Sequence, residues 1–273
     1  MELMHTFFFP TMDDLEVLVQ YTRGLKYDEL VLYYKDQHKC QVKRSGRLFC
    51  PIYDYFKTNF CALGAKATRG TVFVLDEDDY FQGEVACLPF FKFFCRHQTG
   101  AHQGDAGDIV AMHTKLDGSL IKLFKFCAEW VVATYSTPVG SDFFVALFER
   151  AIGLPSADFD QVFDGDKTYT FELCTPENRV VVPYDTYRAT LLMTRCKYSL
   201  EELPNAPNEH HYDMLEELAD FDKSNVGTEG AVVLYKGGHR VKLKTCWYKA
   251  LHGAQSPEKV LVSGDGPFAN TIR

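Results

Sequence analysis

The sequence Lys115-Leu116-Asp117-Gly118-Ser119 stands between two apolar runs, residues 108–112 and residues 120–124. Each run has the length of a short β-strand, and an Asp-Gly pair is typical of a tight turn between strands. The pattern therefore predicts two strands joined by a tight corner, with the Lys115 amine held close to the turn. The simplest interpretation is a hairpin that carries an ordinary exposed lysine.

A lysine can act as a covalent nucleophile only when its amine is unprotonated. Burial and neighbouring positive charge both lower the pKa of a lysine amine and favour that form. The sequence supplies positive charge in Val241-Lys242-Leu243-Lys244, far along the chain from Lys115. Lys242 and Lys244 alternate on a predicted strand and so share one face, where they either meet solvent or converge on one phosphate.

The composition is that of a globular protein large enough for a substantial core. The chain has 273 residues, of which 46% are hydrophobic, 24% are charged and 14% are aromatic. This length corresponds to one large domain or two small ones. The net charge of −8 excludes a protein covered in basic surface, but a local basic groove could still bind nucleic acid.

Cysteine usage and hydropathy predict a cytoplasmic protein with reduced thiols. The nine cysteines are odd in number and include no Cys-x-x-Cys pair, which argues against a disulfide framework and against a zinc ribbon. Cys95, His97 and His102 could bind a metal ion, although no fourth ligand lies nearby in the sequence. No apolar run approaches the ~20 residues that span a membrane, and the amino end has no signal-peptide pattern.

The pattern of polar and apolar residues predicts an α+β domain that is rich in antiparallel strands and has its site between sheets. We expect one catalytic domain over residues 1–250, with residues 1–60 as its N-terminal module, and a short tail over residues 251–273 without a further domain. Helices are predicted at residues 11–19, 141–152 and 213–218. Further strands are predicted at residues 30–34, 40–43, 47–50, 71–75, 126–134, 168–173, 179–182, 187–195, 230–235 and 240–244.

Three side chains outside the opening stretch are candidates for contact with a nucleotide. Tyr53 lies in an aromatic cluster with Tyr55 and Phe56, which could pack as core or stack on a nucleobase. Arg69 precedes a glycine, whose backbone freedom would let a guanidinium approach a phosphate. Lys92 stands among phenylalanines, where its amine either extends to solvent or lies over an anion.

Four segments, in their order and spacing, resemble the covalent nucleotidyltransferase superfamily of ATP-dependent ligases and capping enzymes. The similarity is greatest to the RNA ligase 1 family known from T-even phages. The segments are residues 115–119, residues 171–179 (Phe-Glu-Leu-Cys-Thr-Pro-Glu-Asn-Arg), residues 229–233 (Glu-Gly-Ala-Val-Val) and residues 241–244. Supporting matches occupy residues 69–73, 92–94 and 244–252, so that the resemblance covers roughly residues 47–265.

The resemblance implies an enzyme that seals RNA in three steps and uses ATP with Mg²⁺, for which Mn²⁺ could substitute. Lys115 would attack the α-phosphorus of ATP, release pyrophosphate and carry AMP as a phosphoramidate. AMP would pass to the 5′-phosphate of an RNA, and a 3′-hydroxyl would then attack, close the strand and release AMP. Repair of RNA is the implied role.

The resemblance also assigns roles to further side chains, since phosphoryl transfer depends on positioning and on charge neutralisation. Arg69 and Lys92 would contact the β- and γ-phosphates. Lys242 and Lys244 would contact the α-phosphate and help to keep Lys115 neutral. Glu172 would accept a hydrogen bond from a ribose hydroxyl, and Glu229 would bind the metal ion. The remaining motif positions are Asp117, Gly118, Tyr248 and, as a further metal-binding candidate, Asp265.

The sequence departs from the family pattern at three places. The family has a basic segment of Lys-Gly-Ser type about 20 residues after the nucleophile, where residues 133–138 here contain no lysine. Cys95 stands where asparagine commonly follows the Lys-Phe-Phe segment. Larger family members continue into a helical C-terminal domain, whereas about 30 residues follow Lys244 here. RNA specificity would then be broad, or set by the N-terminal module.

Two alternatives remain open from the sequence. The Lys-x-Asp-Gly core is shared with DNA ligases and GTP-dependent capping enzymes, although residues 171–179 favour an RNA ligase. The chain could instead be a non-catalytic module that binds RNA ends or nucleotides. The presence of Lys115 together with Glu172 and Glu229 argues for catalysis, because a binding protein does not need the nucleophile.

Overall fold

The computed structural model describes residues 11–53, 63–96, 98, 100–203 and 226–254. Within these ranges the α-helices are α1 (Met12–Thr22), α2 (Tyr27–His38), α3 (Leu63–Ala67), α4 (Asp142–Ile152) and α5 (Cys246–Ala254). The strands are β1 (Gln41–Ser45), β2 (Leu48–Ile52), β3 (Val72–Leu75), β4 (Phe81–Cys87), β5 (Phe94–Cys95), β6 (Ile109–Lys115), β7 (Ser119–Phe126), β8 (Glu129–Thr134), β9 (Lys167–Cys174), β10 (Arg188–Cys196), β11 (Glu202–Leu203), β12 (Gly230–Tyr235) and β13 (Arg240–Lys244). Short 3₁₀-helices lie at Ala106–Asp108, Ser156–Gln161 and Lys236–Gly238.

The described strands form three sheets. Sheet 1 has the order β1-β2-β3-β4, sheet 2 has the order β11-β10-β9-β7-β8, and sheet 3 has the order β5-β13-β12-β6. Within the described residues every strand pair is antiparallel except β5 with β13. The predicted class, α+β and rich in antiparallel strands, is therefore confirmed.

The predicted helix near the amino end is confirmed and begins where its capping residues place it. Thr11 and Asp14 form a capping box, with the Thr11 backbone N–H donating to the Asp14 carboxylate at 2.7 Å. Leu15 and Leu18 of α1 are buried against one face of sheet 1. Helices α1 and α2 thus cover this sheet and supply much of its core.

The strand predicted at residues 30–34 is wrong, because these residues lie inside α2. Leu30 and Tyr34 are four residues apart and both buried, whereas Leu32 between them is 57% exposed. This is the spacing of one helical face. A short apolar run does not distinguish a strand from a helix by periodicity alone, and the Lys26 N–H, which donates to Glu29 at 2.8 Å, provides the start of the helix.

Strand β7 lies inside sheet 2, where it pairs with β8 on one side and with β9 on the other. One face of this sheet packs against α4, through an aromatic cluster that includes Phe148, Phe159 and Phe171. The other face packs against sheet 1, where Phe124 lies against Val72 and neighbouring apolar residues. Sheet 2 is therefore covered on both faces.

The opening stretch is not a hairpin. Strand β6 pairs with β12 in sheet 3, and β7 pairs with β8 and β9 in sheet 2. The corner at residues 116–118 consequently carries the chain from one sheet to the other. Lys115, as the last residue of β6, lies at the junction between them.

Two other predictions have different outcomes. The strand expected at residues 179–182 is wrong, since the chain there is an irregular segment whose backbone binds the corner described below. The helix expected at residues 213–218 lies outside the described residues. In the part of the chain that the structure describes, no helix is long and apolar enough to cross a membrane.

Candidate active site

A cavity of about 950 Å³ lies between sheets 2 and 3. Its wall on sheet 3 includes Lys115 and Lys242, and its wall on sheet 2 includes Glu172. Arg69 and Tyr135 border it from two turns. The structure therefore brings to one cavity four of the side chains that the sequence assigns to nucleotide binding, although they are far apart in the chain.

The pairing of sheet 3 places two lysines on either side of one glycine. Gly230 of β12 pairs with Lys115 of β6 on one side and with Lys244 of β13 on the other. The preceding residue, Glu229, is buried and uses one carboxylate oxygen for each lysine. Its Oε2 lies 2.7 Å from the Lys115 Nζ, and its Oε1 lies 2.8 Å from the Lys244 Nζ.

Only glycine fits at position 230. Its φ is +154°, and a Cβ atom there would lie 1.8 Å from the Leu243 carbonyl oxygen. The close approach of the two backbones is what brings Glu229 between Lys115 and Lys244. The Glu-Gly pair of the motif thus has a steric reason as well as a chemical one.

The charge on Lys115 differs from the sequence-based expectation. Burial opposes the ammonium form, but the carboxylates of Glu229 and Glu172 outweigh burial and raise the pKa of Lys115 above its ordinary value. The expected effect of Lys242 and Lys244 on Lys115 does not outweigh these two carboxylates. Glu229 binds Lys115 and Lys244 together.

Glu172 lies on β9 across the cavity from this pair and accepts a hydrogen bond from the Gly118 N–H at 3.0 Å. Burial raises the pKa of Glu172 to about 7, although the Lys115 charge and the hydrogen bond lower it. A Cβ atom on Gly118 would lie 2.2 Å from the Leu173 carbonyl oxygen, so this position also requires glycine. The Asp-Gly corner and β9 are therefore in close contact.

Asp117 of the same corner is a buried acceptor of neutral hydrogen bonds. Its Oδ2 accepts from the Val181 N–H at 2.8 Å and the Val182 N–H at 2.7 Å. Its Oδ1 accepts from the Tyr248 hydroxyl at 2.7 Å. The Tyr184 hydroxyl accepts a hydrogen bond from the Asp117 N–H at 3.1 Å. Asp117 and Tyr248 therefore hold the corner in place behind Lys115.

The positively charged groups around the cavity change one another's protonation. Burial lowers the pKa of Lys92 to about 6, with further contributions from Arg69 and Lys242. Burial and Arg69 lower the pKa of Lys242 to about 8. Lys92 is buried behind the wall, with its Nζ 5.1 Å from the centre of the Phe94 ring. Arg69 and these lysines repel one another when the lysines are charged, and an anion that carries several charges would offset that repulsion.

Sequence reasoning missed three residues of this region. Lys66 is buried beside Phe94, close to Lys92. Tyr135 lies with its ring against Arg69, and Lys122 is buried behind both. Lys66 and Lys122 stand outside the segments that resemble motifs, and Tyr135 stands in residues 133–138, where the family pattern would predict a lysine and gives no role to a tyrosine.

Among the described residues, the candidate Tyr53 does not line this cavity. Tyr53 packs against the core of α1, α2 and sheet 1, and its hydroxyl hydrogen-bonds the Thr68 hydroxyl. Asp265 and His97 lie outside the described residues. Within the described ranges no three His, Cys, Asp or Glu side chains are arranged to hold a metal ion, and every cysteine is a free thiol.

No protein-family model matches the chain. An archaeal ATP-dependent RNA ligase has a similar structure, with a TM-score of 0.53 and 17% identity over 86% of this chain and 65% of that chain. A provisionally assigned ATP-dependent DNA ligase from Aquifex aeolicus gives a TM-score of 0.46 and 13% identity over 81% of this chain and 63% of that chain. A mutant Naegleria gruberi RNA ligase solved with ATP and manganese gives a TM-score of 0.41 and 13% identity over 52% of this chain and 50% of that chain.

The chain spans less than two thirds of the length of each of these proteins. The similarity to the archaeal structure shows the fold: the described residues have an α+β fold similar to that of the archaeal ATP-dependent RNA ligase.

Proposed function

We propose that this protein is an ATP-dependent RNA ligase that joins 5′-phosphate and 3′-hydroxyl ends through a covalent lysyl-AMP, in RNA repair in the cytoplasm. The observation that carries the proposal is the surroundings of Lys115. Its amine lies at the cavity wall, in contact with Glu229 at 2.7 Å, with Lys242 in the same wall, Glu172 opposite and Arg69 at the border of the cavity.

In the first step, the Lys115 Nζ attacks the α-phosphorus of ATP. A P–N bond forms, the bond from the α-phosphorus to the bridging oxygen breaks, and pyrophosphate leaves with that oxygen. The ammonium must first lose a proton, and the Glu229 Oε2 is the acceptor in hydrogen-bond contact with it. Lys242 and Lys244 would neutralise the α-phosphate, and Arg69 at the border of the cavity would contact the departing phosphates. Lys92 is buried behind the wall and would contribute there when it is protonated.

In the second step, an oxygen of the RNA 5′-phosphate attacks the same phosphorus. The P–N bond breaks, and the Lys115 nitrogen leaves as an amine that takes up a proton. In the third step, the RNA 3′-hydroxyl attacks the 5′-phosphorus of the RNA, loses its proton and releases AMP. Each step exchanges one bond at phosphorus, so that the same cations can serve all three.

The carboxylate of Glu229 suits a magnesium ion. Magnesium is commonly bound by one or two carboxylates together with substrate phosphates, and Glu229 lies where the α-phosphate would meet Lys115 and Lys244. When bound, such an ion would neutralise charge on the phosphates. Asp265 stays a second candidate ligand, and Mn²⁺ a substitute.

RNA rather than DNA is proposed on three grounds. Residues 171–179 match the pattern of RNA ligases, and Glu172 at the cavity wall is suited to accept a hydrogen bond from a ribose hydroxyl. The archaeal protein with the similar fold is an RNA ligase. We extend its substrate to this chain as part of the proposal.

The test is transfer of label from ATP to the protein. The wild type is mixed with magnesium and ATP labelled at the α-phosphate, denatured, and examined for label on the chain. Wild type and a Lys125→Ala control should be labelled, and Lys115→Ala should not. Protein that already carries AMP would show an added AMP mass that pyrophosphate removes.

Sealing assays then identify the polynucleotide. Nicked or open ends of RNA and DNA are offered with ATP or GTP, and we expect joining of RNA with ATP. Preference for DNA ends or for GTP would indicate the other branches of the superfamily. RNA binding without label or AMP mass, unchanged in Lys115→Ala, would replace the ligase proposal with the binding module.

A further inference from the structure

Lys122 is a lysine in an apolar interface. It lies on β7 and is fully buried, facing sheet 1 beside Phe124 and the residues that pack on it. Among the described residues no carboxylate forms an ion pair with it. A buried amine without such a partner is costly unless its hydrogen bonds are satisfied.

The bonds of Lys122 join two turns that border the cavity. Its Nζ donates to the Gly70 carbonyl at 2.7 Å and to the Thr137 carbonyl at 3.2 Å. Gly70 follows Arg69, and Thr137 closes the turn that begins at Thr134 after β8. One side chain of the core therefore fixes both turns at once.

The same two turns meet directly through Arg69 and Tyr135. The Arg69 guanidinium carbon lies 4.3 Å from the centre of the Tyr135 ring, at the distance of a cation–π contact. Gly70 has a φ of +78°, and a Cβ atom there would lie 2.8 Å from Tyr135 Cε2. The contact leaves little freedom for the turn to shift.

We propose that Lys122 and Tyr135 are positioning residues that hold the Arg69 guanidinium at the cavity for the β- and γ-phosphates of ATP. The proposal rests on the proposed function in naming ATP as the ligand. Lys122 holds the backbone of the Arg69 turn, and the Tyr135 ring holds the guanidinium itself. The Tyr135 turn lies in the segment that lacks the lysine of the family pattern. An aromatic ring here orients an arginine from another part of the chain.

The experiment separates the ATP step from the joining step. Lys122→Met keeps the size of the buried side chain and removes the two hydrogen bonds. Lys125→Met is the matched control, because Lys125 lies on the same strand but pairs with exposed Asp160. The readouts are KM and kcat for lysyl-AMP formation, and the rate of joining of RNA that already carries a 5′-adenylate.

For Lys122→Met we expect KM for ATP to rise about tenfold, as for the loss of one charge-assisted contact, with kcat changed far less. Joining of pre-adenylated RNA should be unchanged, since no β- or γ-phosphate takes part in it. Lys125→Met should match wild type in KM for ATP and in the joining of pre-adenylated RNA. An unchanged KM, or an equal loss in both reactions, would overturn the positioning role of Lys122.

A second pair of variants decides the question if Lys122→Met does not fold. Tyr135→Phe keeps the ring over Arg69, and Tyr135→Leu removes it. We expect Tyr135→Phe to match wild type and Tyr135→Leu to raise KM for ATP, again without effect on pre-adenylated RNA. Equal behaviour of the two variants would contradict the proposal.

Binding of inorganic pyrophosphate distinguishes this inference from the proposed function. Calorimetry on Lys115→Ala protein should show weaker pyrophosphate binding when Lys122→Met or Tyr135→Leu is added. If the wild type forms no lysyl-AMP but these variants bind pyrophosphate more weakly, the ligase proposal fails, and the positioning role of Lys122 and Tyr135 is supported. If lysyl-AMP forms and the difference is absent, the inference fails alone.

Discussion

Two buried carboxylates near Lys115 make different kinds of contact. On the side of the corner, Asp117 accepts only neutral hydrogen bonds, from two backbone amides and the Tyr248 hydroxyl. On the side of sheet 3, Glu229 binds only charged groups, the amines of Lys115 and Lys244. Asp117 and Glu229 are equally buried, each 3% exposed.

The different contacts indicate different roles: Asp117 supports the structure of the corner, and Glu229 is available for the proposed chemistry. Backbone amides cannot leave their carboxylate without a local change of fold, so that Asp117 fixes the corner permanently. Lysine ammonium groups can exchange a carboxylate for a phosphate or a metal-bound ligand, because each is a mobile charge on a long side chain. Burial alone therefore does not distinguish a structural acid from a functional one, whereas the identity of the donors does.

The largest effect is expected at Asp117. Asp117→Ala would leave two buried amides and the Tyr248 hydroxyl without acceptors, and should lower the free energy of unfolding by about 3–5 kcal/mol. Asp117→Asn should cost far less, because its amide oxygen can accept from both backbone amides and its NH₂ can donate to Tyr248. Urea denaturation measures the free energy of unfolding of both variants. Equal losses in Asp117→Ala and Asp117→Asn would contradict the role of Asp117 as an acceptor of neutral hydrogen bonds.

Removal of the charge on Glu229 should affect reactivity more than folding. In Glu229→Gln the largest cause that raises the pKa of Lys115 is gone, so its amine should react faster with acetic anhydride at pH 8. Lysyl-AMP formation should nevertheless fall about 100-fold, since a carboxylate for the proton and the metal ion is lost. Mass spectrometry of Lys115 follows both reactions, and a parallel fall in the two would refute this account.

Lys242 should make ATP affinity depend on pH. Its pKa is about 8, so the ammonium that attracts phosphate is present below pH 8 and lost as the pH rises through that value. ATP binding to Lys115→Ala protein should weaken about tenfold between pH 7 and pH 9. Adding Lys242→Gln should weaken ATP binding at pH 7 and make it depend less on pH. Comparison of the two proteins at each pH also corrects for the ionisation of ATP itself. An equally steep dependence with Lys242→Gln would assign it to another group.

The smallest effect is expected at Glu172. Its pKa is raised to about 7, chiefly by burial, so the folded state loses stability as the pH rises from the ordinary value of a glutamate through 7. Glu172→Gln can still accept the Gly118 N–H but does not ionise. In urea denaturation, the free energy of unfolding of Glu172→Gln should equal that of wild type at pH 4.5. It should exceed that of wild type by about 1–2 kcal/mol at pH 8. The same difference at both values would show that ionisation is not the cause.

The sequence alone was sufficient for most elements that have strong local signals. The cap at Thr11 predicted α1, the apolar run at residues 230–235 predicted β12, and alternation along residues 240–244 predicted β13. It failed where the pattern was short or depended on distant contacts. Residues 30–34 form a helix, and the apolar residues 180–182 form a loop whose amides bind Asp117.

The candidate site shows the same division. The motifs identified Lys115, Glu172, Glu229, Lys242 and Arg69 as members of one chemistry, and the fold brings them to one cavity or its edge. They could not identify Lys122 or Tyr135, because a buried lysine and a loop tyrosine have no periodic pattern. They also could not place Tyr53, whose aromatic ring suits a core as well as a nucleobase.

The sequence by itself determined which reactive groups the protein has, and it predicted most of its strands. Only the tertiary structure decided that the Asp-Gly corner crosses between two sheets, that Glu229 lies between two lysines, and that the pKa of Lys115 is raised. The physical reason is that side-chain chemistry and strand periodicity are local properties. Electrostatic coupling and burial, in contrast, depend on residues more than 100 positions apart, such as Lys115 and Glu229.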